Sequence, residues 1–256
     1  MIDKQQQVAV GNVVSAMHAQ DALNARLDKL WDAKGWPYYR AAWTEMAEAI
    51  GHLNWFWWKQ GTFGKAPSQE QEEQLHMELV DVLHFGLSMD VALARRRTTT
   101  PEGYAKLLTA RATNLVRAFE VTTGFGTITD TMEAYVRYTI GSQEFETVAF
   151  VNVCRAAGLS LENLLVMYFA KQTLNKLRWN NGYDLLKGDP DVYVKMWPST
   201  ANRELLQEDN VHLVEILNEA IGSKFPKNTL MDAIADNTLV AYLYGRLSER
   251  YNARRS

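Results

Sequence analysis

Apolar residues recur at helical spacing along most of the chain, and few residues interrupt them. Val10, Val14 and Met17, for example, fall on one face of a helix. Only six prolines and fifteen glycines occur in 256 residues, which favours long helices over many short strands. The spacing predicts an all-α chain with helices over residues 8–32, 38–51, 69–97, 104–121, 129–140, 144–157, 160–180, 204–219 and 230–251.

Composition narrows the classes of protein that the chain can belong to. Apolar residues make up 47% of it and charged residues 22%, with a formal net charge of -3. A substantial core can therefore form, and the basic excess of a nucleic-acid-binding protein is absent. The single cysteine, Cys154, excludes an intrachain disulfide and a cysteine-based zinc site, and its apolar neighbours predict that it is buried.

No targeting or membrane signal stands out in the sequence. Residues 1–7 lack the basic and apolar segments of a signal peptide. No run approaches the roughly 20 apolar residues that a membrane span needs. We therefore expect an intracellular, cytoplasmic protein (in the host cytoplasm if it is phage-encoded) that binds neither membrane nor nucleic acid.

Two pairs of carboxylates, each spaced three residues apart, lie on successive predicted helices. Glu45 and Glu48 form the first pair, and Glu78 and Asp81 form the second. Residues three apart are neighbours on a helix surface, and apolar residues such as Leu79 place the pairs beside a core face. Such carboxylates would repel one another unless cations neutralise them, and Mg²⁺ is the natural candidate. A solvated helix face explains most single pairs equally well.

A basic helix face could supply the complementary charge. Lys171, Asn175 and Arg178 recur at i, i+4 and i+7, where two cations and an amide can bind phosphate oxygens. Lys195 follows a turn-rich stretch and could reach the same ligand. The alternative is an exposed basic helix end that interacts with the helix dipole.

In combination, these motifs resemble the dimeric, all-alpha dUTPases of the all-alpha nucleotide pyrophosphatase superfamily. The stretches that carry the resemblance are residues 20–24, 44–59, 78–85, 171–183, and 193–197 with 208–213. Each stretch alone is a weak signal, but their common order is specific. The resemblance covers roughly residues 17–97 and 160–217.

The resemblance implies Mg²⁺-dependent hydrolysis of dUTP, and of dUDP, to dUMP. The implied metal ligands are Glu45, Glu48, Glu78 and Asp81. Of these, Glu48 is the expected general base, with Glu45 as the other catalytic carboxylate of that pair. The implied substrate-binding residues are Gln20 and Asn24 for uracil, Phe85 for the deoxyribose, and Lys59, Lys171, Asn175, Arg178, Tyr183 and Lys195 for the phosphates.

The family also implies an architecture and an assembly. We expect a helical bundle with a four-helix metal-binding core and additional inserted and terminal helices, in a single domain of residues 1–256. The catalytic core would comprise about residues 8–97 and 160–217, with a helical insert at about 98–158. The expected partners are the nucleotide substrate and a second copy of the chain in a homodimer. The aromatic cluster at 55–58 is expected to be mostly core, with one ring lining the pocket.

Three alternatives remain open from sequence. A related all-alpha pyrophosphatase with a different nucleotide preference would share the carboxylates. A carboxylate-bridged di-iron bundle needs Glu-x-x-His on two helices, and only Glu73 and His76 supply that pattern. A non-enzymatic helical interaction protein is disfavoured because all four proposed metal carboxylates are present.

Overall fold

The computed structural model of the protein describes residues 3–59, 61, 63–123, 126–180 and 204–253, with side chains described for residues 210–250 of the last range. All regular structure in these ranges is helical, which confirms the all-α prediction. The α-helices, in chain order, are α1 (Lys4–Leu27), α2 (Tyr38–Gly51), α3 (Gln69–Arg97), α4 (Pro101–Val121), α5 (Ile128–Ser142), α6 (Thr147–Ala156), α7 (Leu161–Asn180), α8 (Glu204–Ser223), α9 (Leu230–Ala235) and α10 (Thr238–Ala253). Short 3₁₀ helices lie at Trp31–Ala33 and Lys227–Thr229.

The chain forms two compact units, residues 1–168 and 169–256. In the first unit, α2 packs along α3, α1 packs against α3 and α4, and α5 packs against α2 and α6. Side chains such as Met17, Met46 and Leu83 are fully buried between these helices. In the second unit, α8 and α9 each pack against α10. The predicted division into a core and an insert stays a prediction.

Capping residues explain where several helices begin. Ser68 accepts a hydrogen bond from the backbone of Gln71, whose side chain binds back to the Ser68 backbone, so a capping box starts α3. Thr100 caps α4, and Pro101 occupies its first turn, where no amide hydrogen is needed. The predicted break before residue 104 is therefore shorter than expected.

Two of the predicted helices are interrupted. The first ends at Leu27 and not at 32, because Asp28 is extended and Trp31 turns inward in a separate 3₁₀ helix. The last is divided between α9 and α10 by Asn237, whose φ of 65° is left-handed, a conformation that asparagine tolerates better than most residues.

Cys154 is fully buried, as its apolar neighbours predict. Among the described residues, no single helix is both long and apolar enough to cross a membrane. Only α6 and α7 taken together reach that length and apolarity, and they meet at a sharp bend.

Candidate active site

Three carboxylates from α2 and α3 converge in the first unit. One oxygen each of Glu45, Glu78 and Asp81 can be chosen so that all three lie within 4.8 Å of one another, and the three residues are half-buried. Glu78 and Asp81 share a face of α3 because they are three residues apart, and the close packing of α2 on α3 brings Glu45 to them. Glu48, one turn further along α2, is exposed and lies outside this group.

The oxygen spacing suits a hard divalent cation. Mg²⁺ binds oxygen at about 2.1 Å, so ligands on opposite sides of the ion lie about 4 Å apart. Three half-buried carboxylates within 4.8 Å are close to that arrangement, and their mutual repulsion favours a bound cation. We call Glu45, Glu78 and Asp81 the carboxylate cluster.

Two histidines flank the carboxylate cluster. His52 Nε2 lies 3.7 Å from Glu78 Oε1, and His84 Nδ1 lies 3.8 Å from Asp81 Oδ1. His84 Nδ1 is closer to the Val80 carbonyl oxygen, at 2.9 Å, and a carbonyl only accepts hydrogen bonds. Nδ1 therefore carries a hydrogen that it donates to the backbone, which fixes the orientation of the ring.

The two predicted uracil-reading amides belong to one buried hydrogen-bond chain. Gln20 Nε2 donates to Asn24 Oδ1 at 3.1 Å. The Tyr168 hydroxyl lies 3.2 Å from Gln20 Oε1, but its one hydrogen is directed to the closer Ala16 carbonyl oxygen, at 2.9 Å. Asn24 Nδ2 then donates to Ser88 Oγ at 2.9 Å, and His84 stacks on the Tyr168 ring with centroids 4.4 Å apart. This chain orients both amides.

Phe85 is half-buried, and its ring lies 6.4 Å from that of Tyr38. The aromatic cluster after α2 is different from its prediction, because Trp55, Trp57 and Trp58 are 38%, 71% and 54% exposed. The expectation that this cluster is mostly core is wrong. A loop with three adjacent tryptophans has too few opposing elements to cover them all.

The basic face of α7 lies in the second unit. Lys171 is 5% exposed, and its Nζ donates to Asn210 Oδ1 at 3.2 Å. Arg178 donates to Asn175 Oδ1, also at 3.2 Å. Lys59, in the first unit, is exposed, with its Nζ 4.0 Å from the centre of the Phe56 ring. Tyr183 and Lys195 lie outside the described residues.

Comparison with known proteins decides between the alternatives. The family model described as dUTPase matches residues 12–183, more than half of the chain. The chain belongs to the all-alpha dimeric dUTPase family. It is therefore a dUTP diphosphatase that hydrolyses dUTP. A comparison with curated proteins found no match.

Family membership also removes the di-iron alternative. His76, the one histidine of a Glu-x-x-His pattern, has its Nε2 2.8 Å from the Ala157 carbonyl oxygen. Among the described residues of this dUTPase, the side chains close enough together to share a metal ion are all carboxylates.

Some residues that shape the dUTPase site were missed by sequence reasoning. Asp21, next to Gln20, is 9% exposed and accepts hydrogen bonds from Trp31 Nε1, Arg95 and the Tyr104 hydroxyl at 3.1, 2.6 and 3.1 Å. These bonds join α1 to the 3₁₀ helix at Trp31, to α3 and to α4. The position of Asp21 inside the amide motif could have marked it as a buried acid. Its three donors could not have been identified, because they are distant in sequence.

Ser88 and Tyr168 were also missed. Ser88 lies three residues after Phe85, on the same helix as the second carboxylate pair. Tyr168 lies three residues before Lys171, on the same helix as the basic face. Helical spacing could have found them as neighbours of the site.

Proposed function

We propose that this chain hydrolyses dUTP to dUMP and pyrophosphate in a reaction that depends on Mg²⁺, and that it also hydrolyses dUDP to dUMP and phosphate. The observation that carries the proposal is the carboxylate cluster on α2 and α3. Family membership supports the dUTP substrate. The metal and the second substrate are the finer parts of the proposal.

The carboxylate cluster and Glu48 would hold the metal. Their donors are all carboxylate oxygens, which Mg²⁺ prefers over softer ligands. Bound Mg²⁺ would neutralise phosphate charge and lower the pKa of a coordinated water. His52 and His84 stand beside this group, with ring nitrogens 3.7 Å from Glu78 Oε1 and 3.8 Å from Asp81 Oδ1.

Glu48 is our candidate for the general base. It lies one helical turn from Glu45 on α2 and is exposed to solvent, so its carboxylate can accept a proton from an attacking water. Glu45, which lies within the carboxylate cluster, is the catalytic alternative in the same pair. A base within hydrogen-bond reach of the water raises its nucleophilicity at the reacting phosphorus.

The phosphate chain is assigned to Lys171, Asn175 and Arg178, with Tyr183, Lys195 and Lys59 completing the set. Lys171 is nine-tenths buried, and burial strengthens the attraction between a cation and a phosphate. Arg178 offers a planar fork that matches phosphate oxygens. The role of these groups would be to bind the substrate and to stabilise charge on the leaving group.

Gln20 and Asn24 are assigned to the uracil base. An amide offers a donor and an acceptor side by side, which the uracil edge requires. Ser88 Oγ donates its hydrogen to the His84 carbonyl and so accepts from Asn24 Nδ2, which leaves Asn24 Oδ1 to accept from Gln20 Nε2. Phe85, half-buried one turn beyond Asp81, is assigned to the deoxyribose, where its ring would leave no room for a 2′-hydroxyl.

The decisive experiment is an assay of pyrophosphate and phosphate release across all dNTPs, NTPs and dUDP, with Mg²⁺ and with EDTA. We expect Mg²⁺-dependent turnover that favours dUTP and dUDP. Equal rates on dCTP and dUTP would reject the base assignment and keep the metal site. Full activity in EDTA would show that the reaction does not depend on Mg²⁺.

Glu48→Gln tests the general base because it keeps the size of the side chain. We expect it still to bind dUTP but to lose turnover. Asn175→Asp, which places a negative charge beside the phosphates, should instead raise KM strongly.

A homodimer and a cytoplasmic location are further parts of the proposal. The dimer is expected because the matching family is that of the dimeric dUTPases. Light scattering on the purified protein should give twice the 29.2 kDa mass of one chain. A monomer that hydrolyses dUTP would contradict the assembly and leave the chemistry intact.

A further inference from the structure

A cavity of about 530 Å³ lies in the first unit, one to two turns beyond Phe85 along α3. Its walls come from the start of α2, the end of α3 and the loop between α5 and α6. This volume falls in the range of small-molecule sites, about 300–1,000 Å³. The carboxylate cluster and the predicted uracil-reading amides do not line it.

The inner part of the cavity carries a buried acid. Asp90 is 4% exposed, and Arg111 Nε lies 3.4 Å from its Oδ1. Tyr38 also lines the cavity, but its hydroxyl has almost no accessible surface, so a ligand in the cavity would meet the ring of Tyr38 and not its hydroxyl.

The inner wall is also built by close packing. Phe145 is 5% exposed and lies against Gly86, where a Cβ atom would come within 2.6 Å of its ring. Only glycine at this position lets the α5–α6 loop approach α3 so closely. The cavity is therefore a formed feature of the fold, and not a gap between mobile surface side chains.

The outer part of the cavity carries two cations and two aromatic rings. Arg40 and Arg96 are exposed, and the Arg40 guanidinium carbon lies 5.6 Å from the centre of the Tyr39 ring. Trp36, which is 41% exposed, lies at the same opening. Guanidinium groups suit phosphate, and aromatic faces stack on nucleobases.

We propose that this cavity is a second nucleotide site, distinct from the hydrolytic site, which takes a nucleotide whose base has an amino group beside a ring nitrogen. The base would enter between Trp36 and Tyr39 and meet Asp90. The phosphate would remain at the opening with Arg40 and Arg96. Cytosine and adenine carry this amino edge, whereas uracil has a carbonyl in its place.

Asp90 provides the selectivity in this arrangement. A carboxylate accepts a hydrogen bond from the amino group of cytosine and repels the carbonyl oxygen of uracil. Burial raises the pKa of Asp90 to about 7, with Arg111 opposing the shift and Glu144 adding to it. Selectivity against uracil therefore belongs to the charged carboxylate, because a protonated carboxyl can donate to O4 of uracil as well as to the ring nitrogen of cytosine.

The test is calorimetric titration of the full-length protein in EDTA with dCMP, with dAMP and, as a matched control, with dUMP. The variants are Arg40→Ala/Arg96→Ala, which alters only exposed side chains, and Glu78→Gln in the carboxylate cluster. Each lost guanidinium–phosphate contact should weaken binding about tenfold. We expect the double variant to lose dCMP or dAMP binding and to keep dUTP turnover.

Glu78→Gln should keep dCMP or dAMP binding, which separates this proposal from the proposed hydrolytic site. Binding of only one of the two amino nucleotides narrows the site to that base. The proposal is overturned if neither ligand binds at millimolar concentration, if dUMP binds equally in a manner that requires Arg40 and Arg96, or if the double variant binds as well as the natural protein.

Discussion

Carboxylates serve opposite purposes in two parts of the first unit. Asp21 is surrounded by donors, since Trp31, Arg95 and Tyr104 all contact its two oxygens. In the carboxylate cluster, acid side chains approach one another within 4.8 Å. The first arrangement places donors around one charge, whereas the second brings like charges together, as the proposed metal site requires.

The difference shows how a structural acid can be separated from a ligand-binding acid. Removing Asp21 leaves three donors without their shared acceptor, and this destabilises the fold. Removing one acid from the cluster relieves repulsion and removes one of the proposed metal ligands. A substitution at Asp21 should therefore lower stability more than activity, whereas a substitution in the carboxylate cluster should lower activity and not stability.

The largest effect is expected for Glu78→Gln. Loss of one carboxylate ligand should lower kcat on dUTP by at least about a hundredfold, because metal stabilisation of the reacting phosphate is worth several kcal/mol. In EDTA, the same change should stabilise the fold by about 1 kcal/mol, since one of three like charges is removed. Pyrophosphate release and thermal unfolding measure the two effects.

A fall in Tm with full activity would contradict this view of Glu78. It would mean that Glu78 behaves like Asp21 and is held by donors of the protein. Glu133→Gln, on the surface of α5, is a matched control that should change neither measurement.

Asp21→Asn should have the next largest effect, and on the opposite property. The amide keeps one acceptor oxygen but loses the charge that pairs with Arg95, whose side chain is 40% exposed. We expect a loss of about 2 kcal/mol in the free energy of unfolding, measured by urea denaturation. The kcat on dUTP should change much less than in Glu78→Gln.

A drop of a hundredfold in kcat for Asp21→Asn, with unchanged stability, would break the comparison. Asp21 would then belong to the reacting groups. Tyr104→Phe removes a single donor to Asp21 and should cost about half as much stability, which provides an internal scale.

Asp90 differs from both Asp21 and the carboxylate cluster, because it is deeply buried and pairs with one guanidinium, that of Arg111. Its pKa in the folded protein is about 7, above the value of about 3.9 in an unfolded chain. Between about pH 4 and 7 the folded state therefore binds more protons than the unfolded state. Stability should fall as pH rises through this window, by at most about 1.4 kcal/mol per pH unit.

Asp90→Asn should flatten that slope, as measured by urea denaturation at several pH values between about 5 and 7. The matched control is Asp130→Asn, because hydrogen bonds from Thr127 lower the pKa of Asp130. Its stabilisation is lost only as pH falls below the ordinary range of aspartate, so the slope above pH 5 should stay. An unchanged slope in Asp90→Asn would mean that Asp90 is charged throughout.

The carboxylate cluster was accessible to sequence reasoning because helical spacing alone pairs Glu78 with Asp81. The approach of Glu45 needed only one further inference, that the two helices pack together. The network around Asp21 was not accessible, since Arg95 and Tyr104 are brought to it by the packing of three helices. Local periodicity contains no information on such distant partners.

The errors in the predicted fold have the same origin. The interruption at Asn237 depends on one residue with a φ of 65°, while the apolar spacing continues on both sides of it. The exposure of Trp57 depends on what opposes the loop, and hydrophobicity alone favoured burial. Helix type and order follow from periodicity, whereas breaks and burial depend on tertiary contacts.

The smallest effect is expected at His52, which lies beside the carboxylate cluster. His52 Nε2 lies 3.7 Å from Glu78 Oε1, compared with 2.6 Å between Arg95 and Asp21. His52→Gln should therefore cost less than about 1 kcal/mol in EDTA, and less again with Mg²⁺, because a bound cation would interact with Glu78 more strongly than the imidazole does. In a Glu78→Gln background the effect should vanish, which a double-mutant cycle measures. A loss as large as that of Asp21→Asn, unchanged by Mg²⁺, would place Glu78 among the structural acids and leave Glu45 and Asp81 to hold the cation.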